Sequence, residues 1–324
     1  MFASLRLTIA ASLALVAIPG NPVHASVPVV VASITPVHAL VSGVMAGVGT
    51  PVLLVPPGQS PHTYTLRPSD ARVLASAQTV FWIGDALETF LPGTLKSLSR
   101  AKAVSLLEAP GIIRLPVRSG GLWEHAEHTH HHHAERGQHS HHHQGADPHI
   151  WLDPRNAVAM VNAIAHTLSE QDPDNAHTYR TNAANLQTRL RTLEEHMDHT
   201  LEPARHLPFL IFHDSIQYIE NRFGLHAVGA ITIDPSLPPG ARHLNHIRET
   251  ARHHRVSCLF AEPSSPRRTV TQIARETGTR TSELDPLGGG DPRETGYESY
   301  TQLMNDITAS LASCLTGGNI QHRH

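Results

Sequence analysis

Permanent charge is scarce in this chain. Asp, Glu, Lys and Arg make up 16% of its 324 residues and leave a formal net charge of -3. A protein that grips nucleic acid carries a basic footprint for phosphates, and none is visible, which excludes that partner. Cysteine is scarcer still: Cys258 and Cys314 stand alone, too far along the chain from the histidines described below to serve as zinc thiolates. Long apolar runs are also missing. Beyond the first 25 residues no stretch reaches the ~18 apolar residues that a bilayer span requires, so no direct membrane insertion is expected. There is no HExxH helix, no GxSxG elbow and no glycine loop for phosphates. The chain therefore does not read as an enzyme. Apolar material itself is ample at 40%, enough for one large domain or two ordinary ones. The excess lies in histidine: 27 residues, against 25 Lys and Arg and 28 Asp and Glu.

The N-terminus reads as an export signal. Arg6 supplies the positive start, Leu7 to Ile18 an apolar stretch too short for a comfortable span, and Val23-His24-Ala25 a small-residue cleavage site. Cleavage after Ala25 is expected, with an uncleaved anchor as the alternative. No cysteine lies there, so lipid attachment to a processed N-terminal cysteine is excluded. In an exported protein two lone cysteines usually pair. A Cys258–Cys314 bond would close a 56-residue loop, with a chain-entropy gain of about 4 kcal/mol at most. Two buried free thiols are the other possibility.

Strands and helices alternate along the mature chain. Val27 to Ile34, Thr50 to Val55, Thr79 to Ile83 and Val104 to Leu107 have strand character; helices are expected after Thr35 as N-cap with Pro36 as first residue, after a cap at Ser69-Asp70, and from Asp85. From about Ser119 to Asp147 that pattern stops. Asp153-Pro154 opens a helix to about Gln171, and Asp172-Pro173 opens a longer one to about Arg205, striped by Leu186, Leu190, Leu193, Met197 and Leu201. Alternation then resumes, with strands at Phe209 to Phe212, His226 to Ile231, Val256 to Phe260 and Thr279 to Leu284. Helices follow at Ser215 to Phe223, Pro239 to His254, Pro266 to Thr277 and Tyr297 to Leu315. The expected architecture is α/β: two β/α lobes with parallel sheets, joined by a long helix, with a ligand cleft between them. The expected boundaries are leader 1–25, N-terminal lobe 26–172 with an insertion at about 119–147, linker helix 173–205 and C-terminal lobe 206–324.

Histidine falls into two groups. His125, His128, His130, His131, His132, His133, His139, His141, His142 and His143 crowd the insertion, interspersed with Glu124, Glu127 and Glu135. Such a tract offers many weak, interchangeable metal contacts and no apolar period to hold it down. A sparser set follows strands: His62 in SPHTY, His149 in DPHIWLDP and His213 in FLIFHDS, with Asp285 in ELDPLGG. Three imidazoles and a carboxylate would close a tetrahedron around zinc. Each has an ordinary alternative as a loop, core or turn residue, so spacing alone does not decide. His196 and His199, and His243 and His246, are helical pairs without a third partner and read as exposed faces.

The surrounding strings do decide. VVVASITPVHALVSGVMAGVG, PPGQSPHTYTLRPSDARVLASAQTVFWIGDALETFL, DPHIWLDPRNA, FHDSIQYIENRFGL, CLFAEP and LDPLG resemble, in order, the zinc-specific solute-binding proteins of bacterial ABC importers, the ZnuA-type members of the metal-binding cluster. The resemblance implies two β/α lobes, a long connecting helix, a His-rich insertion and a disulfide in the second lobe. It implies ligands at His62, His149 and His213, and at Asp285 the carboxylate that in some members binds metal and in others gives way to water. It also implies periplasmic zinc capture, delivery to a membrane permease of an ABC importer, Zn2+ as the bound ion and a monomeric carrier. One position departs from the pattern: Pro61 stands where zinc members often place glutamate. His213 stands where manganese-binding relatives place glutamate, so zinc is favoured over manganese or iron. A metal-binding adhesin or a zinc sink without a transporter would look the same in sequence. Glu262, Asp214 and Arg67 are candidates to orient the imidazoles, although Arg67 and Asp70 also read as a local pair shaping their loop.

Overall fold

The structure is a computed structural model that describes residues 27–119, 121–123, 145–233, 235, 237, 239–289 and 296–318. The expected leader and its cleavage site lie outside the described residues, as do all ten histidines of the insertion. No helix among the described residues is long and apolar enough to cross a membrane.

Two parallel four-stranded sheets form the frame, as expected. The first contains β1 (Val30–Ala32), β2 (Val52–Leu53), β3 (Thr79–Trp82) and β4 (Lys102–Ser105) in the order β2-β1-β3-β4. The second contains β5 (Phe209–His213), β6 (Ala227–Thr232), β7 (Cys258–Ala261) and β8 (Arg280–Glu283) in the order β6-β5-β7-β8. The same winding occurs twice. In each sheet the chain reverses direction of growth between its first and third strands, and ligands of such sheets bind beyond the carboxyl ends at that point.

Helices α1 (Thr35–Val44), α2 (Pro68–Ser76) and α3 (Pro92–Ser97) belong to the first lobe. α4 (Pro154–Gln171) begins where sequence placed it, because Asp153 caps it by accepting from the Arg155 amide at 2.9 Å. The connecting helix is a 3-10 turn at Pro173–Asn175, α5 (Ala176–Leu201) and a second turn at Glu202–Ala204. Its expected leucine and methionine stripe is buried throughout. α6 (Gln217–Phe223), α7 (Ala241–His253), α8 (Arg267–Thr277) and α9 (Tyr297–Thr316) complete the second lobe. Cys258 on β7 and Cys314 on α9 form a disulfide.

One hydrophobic core runs through both lobes, uniting residues of α1, α4, α5 and α9 with the inner faces of the two sheets. Separate clusters cover the outer faces. Polar ties reinforce the junction: Arg222 of α6 grips the Asp153 carboxylate at 2.6 Å, Trp151 donates to Pro286 O at 2.7 Å, and Tyr300 donates to Trp151 O at 2.7 Å. Lobes that share a core this way resist wide opening.

Three local expectations need correction. The helix expected from Asp85 is a run of turns, and α3 starts at Pro92. Glu88 folds its carboxylate back onto the amides of Ile83 and Gly84, at 3.2 and 3.0 Å, instead of facing outward along a helix. Thr35 is the first residue of α1 and not its cap; that place falls to Ile34, which offers no side-chain acceptor. The Ser69-Asp70 cap is likewise displaced, because Pro68 already fills the first turn. Arg67 is the cap residue, and Asp70 accepts from its amide at 2.7 Å.

Glu88 is fully buried at the reversal point of the first sheet, where Ser33 of the β1 end donates to it. Burial pushes its carboxyl from 4.5 up to about 7, against the opposing hydrogen bonds from Ser33, Gly84 and Ile83. An acid whose folded pKa lies above its unfolded value destabilises the fold as pH rises between the two, here from 4.5 to about 7. The penalty above that window is about 3 kcal/mol. Thermal melts at pH 5 and pH 8 check this: the wild type should lose more stability on going to pH 8 than Glu88→Gln does.

Candidate metal centre

Three loops converge on one point. His62 lies in the turn that follows β2, in a loop of prolines and glycine between Leu53 and α2. His149 precedes the short 3-10 turn Ile150–Leu152 that leads into α4. His213 is the last residue of β5, at the reversal point of the second sheet. Their ring centroids lie 5.5 Å (His62–His149), 5.2 Å (His62–His213) and 5.2 Å (His149–His213) apart. One nitrogen from each lies within 4.8 Å of the others, the geometry of a shared cation. Two of the rings come from the first lobe and one from the second, so the point lies between the lobes.

Each of the two deeply buried imidazoles is held by a carboxylate. His149 Nδ1 meets Asp147 Oδ1 at 2.7 Å, and the same oxygen accepts from the His149 amide at 2.9 Å. His213 Nδ1 meets Glu262 Oε1 at 2.8 Å, and that oxygen also accepts from Ser215 Oγ at 2.9 Å. With Nδ1 donating to a carboxylate, the Nε2 lone pair is left facing the centre, and the ring cannot rotate. Glu262 follows the end of β7, the strand beside β5. The second lobe therefore places a half-buried glutamate at its reversal point, where the first lobe has the fully buried Glu88.

Electrostatics follow from this pairing. Burial presses His213 toward its neutral form, but the Glu262 carboxylate, with Asp214 and Asp147 beyond it, outweighs that and raises its pKa above 6.5. Burial pushes Glu262 up while the His213 imidazole pulls it further down, leaving the carboxylate lowered. Two carboxylates beneath two imidazoles make the pocket attractive to a divalent cation and increase the donor strength of the rings.

Other expected residues take different places. Asp285 is not in the group of converging atoms. Its oxygens accept from the Leu287 amide at 3.0 Å and from the Gly289 amide, within the turn that Trp151 holds through Pro286. Asp214 faces Arg118 and not an imidazole. Arg67 stays in its own loop, 6.0 Å above the Tyr64 ring. His196 and His199 are exposed on α5, as expected, but half-buried His243 bonds through Nε2 to Ala230 O of β6 at 3.0 Å. Asp147 is the partner that sequence reading missed. Its signal was present two residues before His149, the spacing at which a carboxylate can reach both the amide and the ring.

Known proteins resemble this chain in sequence and in fold. Residues 30–314 match the family model described as the periplasmic zinc-uptake complex component A. A high-affinity zinc uptake system protein ZnuA from Brucella suis is 37% identical over 307 residues, covering 89% of this chain and 91% of the relative. Among solved structures, a zinc-bound ZnuA deletion mutant superposes with a TM-score of 0.72 at 24% identity, over 88% of this chain and 97% of that one. A manganese-bound periplasmic metal-binding protein from Candidatus Liberibacter asiaticus gives 0.73 at 19% identity, over 89% and 99%. These two superpositions establish a shared fold.

Proposed function

The chain belongs to the ZnuA family of periplasmic zinc-uptake components, and from that premise we propose that it captures zinc at His62, His149 and His213 and delivers it to the membrane permease of an ABC importer. The observation that carries this reading is the convergence of three imidazole nitrogens within 4.8 Å, two of them oriented by carboxylates. Neutral imidazoles suit zinc, whereas manganese prefers more oxygen and a higher coordination number. Asp285 or water supplies the fourth contact. The protein acts as a carrier and not as a catalyst, as an exported monomer released from its leader after Ala25. The lobes 26–172 and 206–324 form the two walls of the cleft, with 173–205 as the connecting helix.

The histidine tract between His125 and His143 serves, in this reading, as a loose zinc store beside the tight site. Zinc titration followed by calorimetry tests both parts, using the mature chain and a form lacking residues 124–145. The full chain should take one tightly bound zinc and further weak ones, and the shortened chain the tight one alone. Equal stoichiometry in both would end the proposal for the tract, and no tight zinc in either would end the proposal for the cleft.

Orientation of His149 makes a second prediction. Asp147→Asn keeps the shape but loses the charge beneath the ring, and zinc affinity should fall by about 10–100-fold. Competition against a chromophoric chelator measures it; an unchanged affinity would mean that Asp147 serves only the loop.

A further inference from the structure

Arg118 is more deeply engaged than any feature of its sequence suggests. It lies on the stretch that runs from the first lobe toward the histidine tract, yet its half-buried guanidinium reaches two buried carboxylates of the second lobe. Nε and Nη2 grip both oxygens of Asp214, the first at 2.9 Å, and Nη1 and Nη2 reach both oxygens of Glu220 at 3.0 and 2.8 Å. Trp123 covers the guanidinium, with its ring centroid 3.6 Å from Cζ. Leu122 seats against β6 at Gly229, where a side-chain carbon would stand 2.7 Å from it. The strap is thus fixed on the second lobe by charge, stacking and shape together.

Its other end is fixed to the first lobe. Pro116 pairs with Ala146, the Val117 amide donates to Gly145 O at 3.1 Å, and the Asp147 amide donates to Leu115 O at 2.8 Å. Asp147 orients His149, and Asp214 is the residue after His213. A continuous path therefore runs from His149 through Asp147 and the 115–117 segment to Arg118, Asp214 and His213, closing around the centre from behind.

We infer that Arg118 is a positioning residue for the metal site, setting the separation of His149 from His213 across the cleft without touching the metal. This rests on the zinc reading of the three histidines. A cation near a metal site would by charge alone weaken metal binding, whereas a positioning cation strengthens it, so the sign of the effect separates the two roles. A guanidinium meets both carboxylates in planar fork geometry; an ammonium, a point charge on a flexible stem, lacks that fork.

The test uses the mature chain as Arg118→Gln, Arg118→Lys and the triple variant Arg118→Gln, Asp214→Asn, Glu220→Gln, which leaves no buried carboxylate unpaired if the first fails to fold. Because it also removes one net negative charge, the triple variant is judged by its cobalt spectrum and the single variant by the sign of its affinity change. Zinc affinity and the visible spectrum of bound Co2+ at saturation are read on protein shown to be folded. The glutamine variants should lose about 10–100-fold in zinc affinity and show altered cobalt bands, with Arg118→Lys between them and the wild type. An unchanged cobalt spectrum in the triple variant would overturn the inference, and so would an unchanged or raised affinity in Arg118→Gln. Failure of the wild type itself to bind either ion would instead reject the zinc reading.

Discussion

Replacing His213 with alanine should lower zinc affinity by more than about 100-fold, while His196→Ala leaves it unchanged. A residue behind a metal ligand is worth about 10–100-fold, and loss of the ligand itself exceeds that. His213 is the one ring contributed by the second lobe, so its removal leaves a two-nitrogen site on one wall of the cleft. The vacancy does not heal easily. Glu262 and Ser215 lie directly behind the ring, and the half-buried Glu262 carboxylate would be left without its imidazole. His196 is an exposed residue of α5 with no part in the cluster. Competition titrations on both variants measure the contrast, and comparable losses in the two would place the tight site elsewhere.

Zinc affinity should also collapse with acid, by at least about 100-fold between pH 7.5 and pH 5. The sign follows from competition: zinc needs the unprotonated ring, so every proton that the free protein binds must leave. An imidazole of ordinary pKa near 6.5 costs about 30-fold at pH 5 by itself, and three rings must be cleared. His213 moves the onset upward, because Glu262 raises its pKa. The decline should therefore begin above pH 6.5 and steepen below it. Glu262→Gln removes that carboxylate and should shift the onset toward lower pH even as it weakens binding at neutral pH. Equal affinities at pH 5 and pH 7.5 would contradict ligation by imidazole.

Much of the fold was legible because its signals are local. The β/α alternation, the Asp153-Pro154 start of α4 and the apolar stripe of α5 each follow from short-range patterning. Failures came where a side chain turned against its own segment. Asp85 opens turns and not a helix because Glu88 bends back to Ile83 and Gly84, and Gly84 takes a φ of +152° that favours glycine. His243 looked exposed by helical spacing, but the carbonyl it meets belongs to a strand folded beneath it.

The site was legible only in part. His62, His149 and His213 were identified by the strings around them, since each alone resembles an ordinary loop or core histidine. Glu262 was foreseeable as a partner because it directly follows the strand beside β5. Arg118 was not. It sits where periodicity stops, and its partners Asp214 and Glu220 are about a hundred residues away. The abundant histidines of the tract drew attention to a metal, while the residues behind the imidazoles are a few carboxylates with no compositional signature.

Anomalous scattering at the zinc edge from crystals of the zinc-loaded mature chain tests the central claim most directly. The account predicts one fully occupied zinc bonded to a nitrogen of each of His62, His149 and His213, at about 2.0–2.1 Å. A principal zinc peak that lacks His213, or that lies away from the junction of the two lobes, would contradict it.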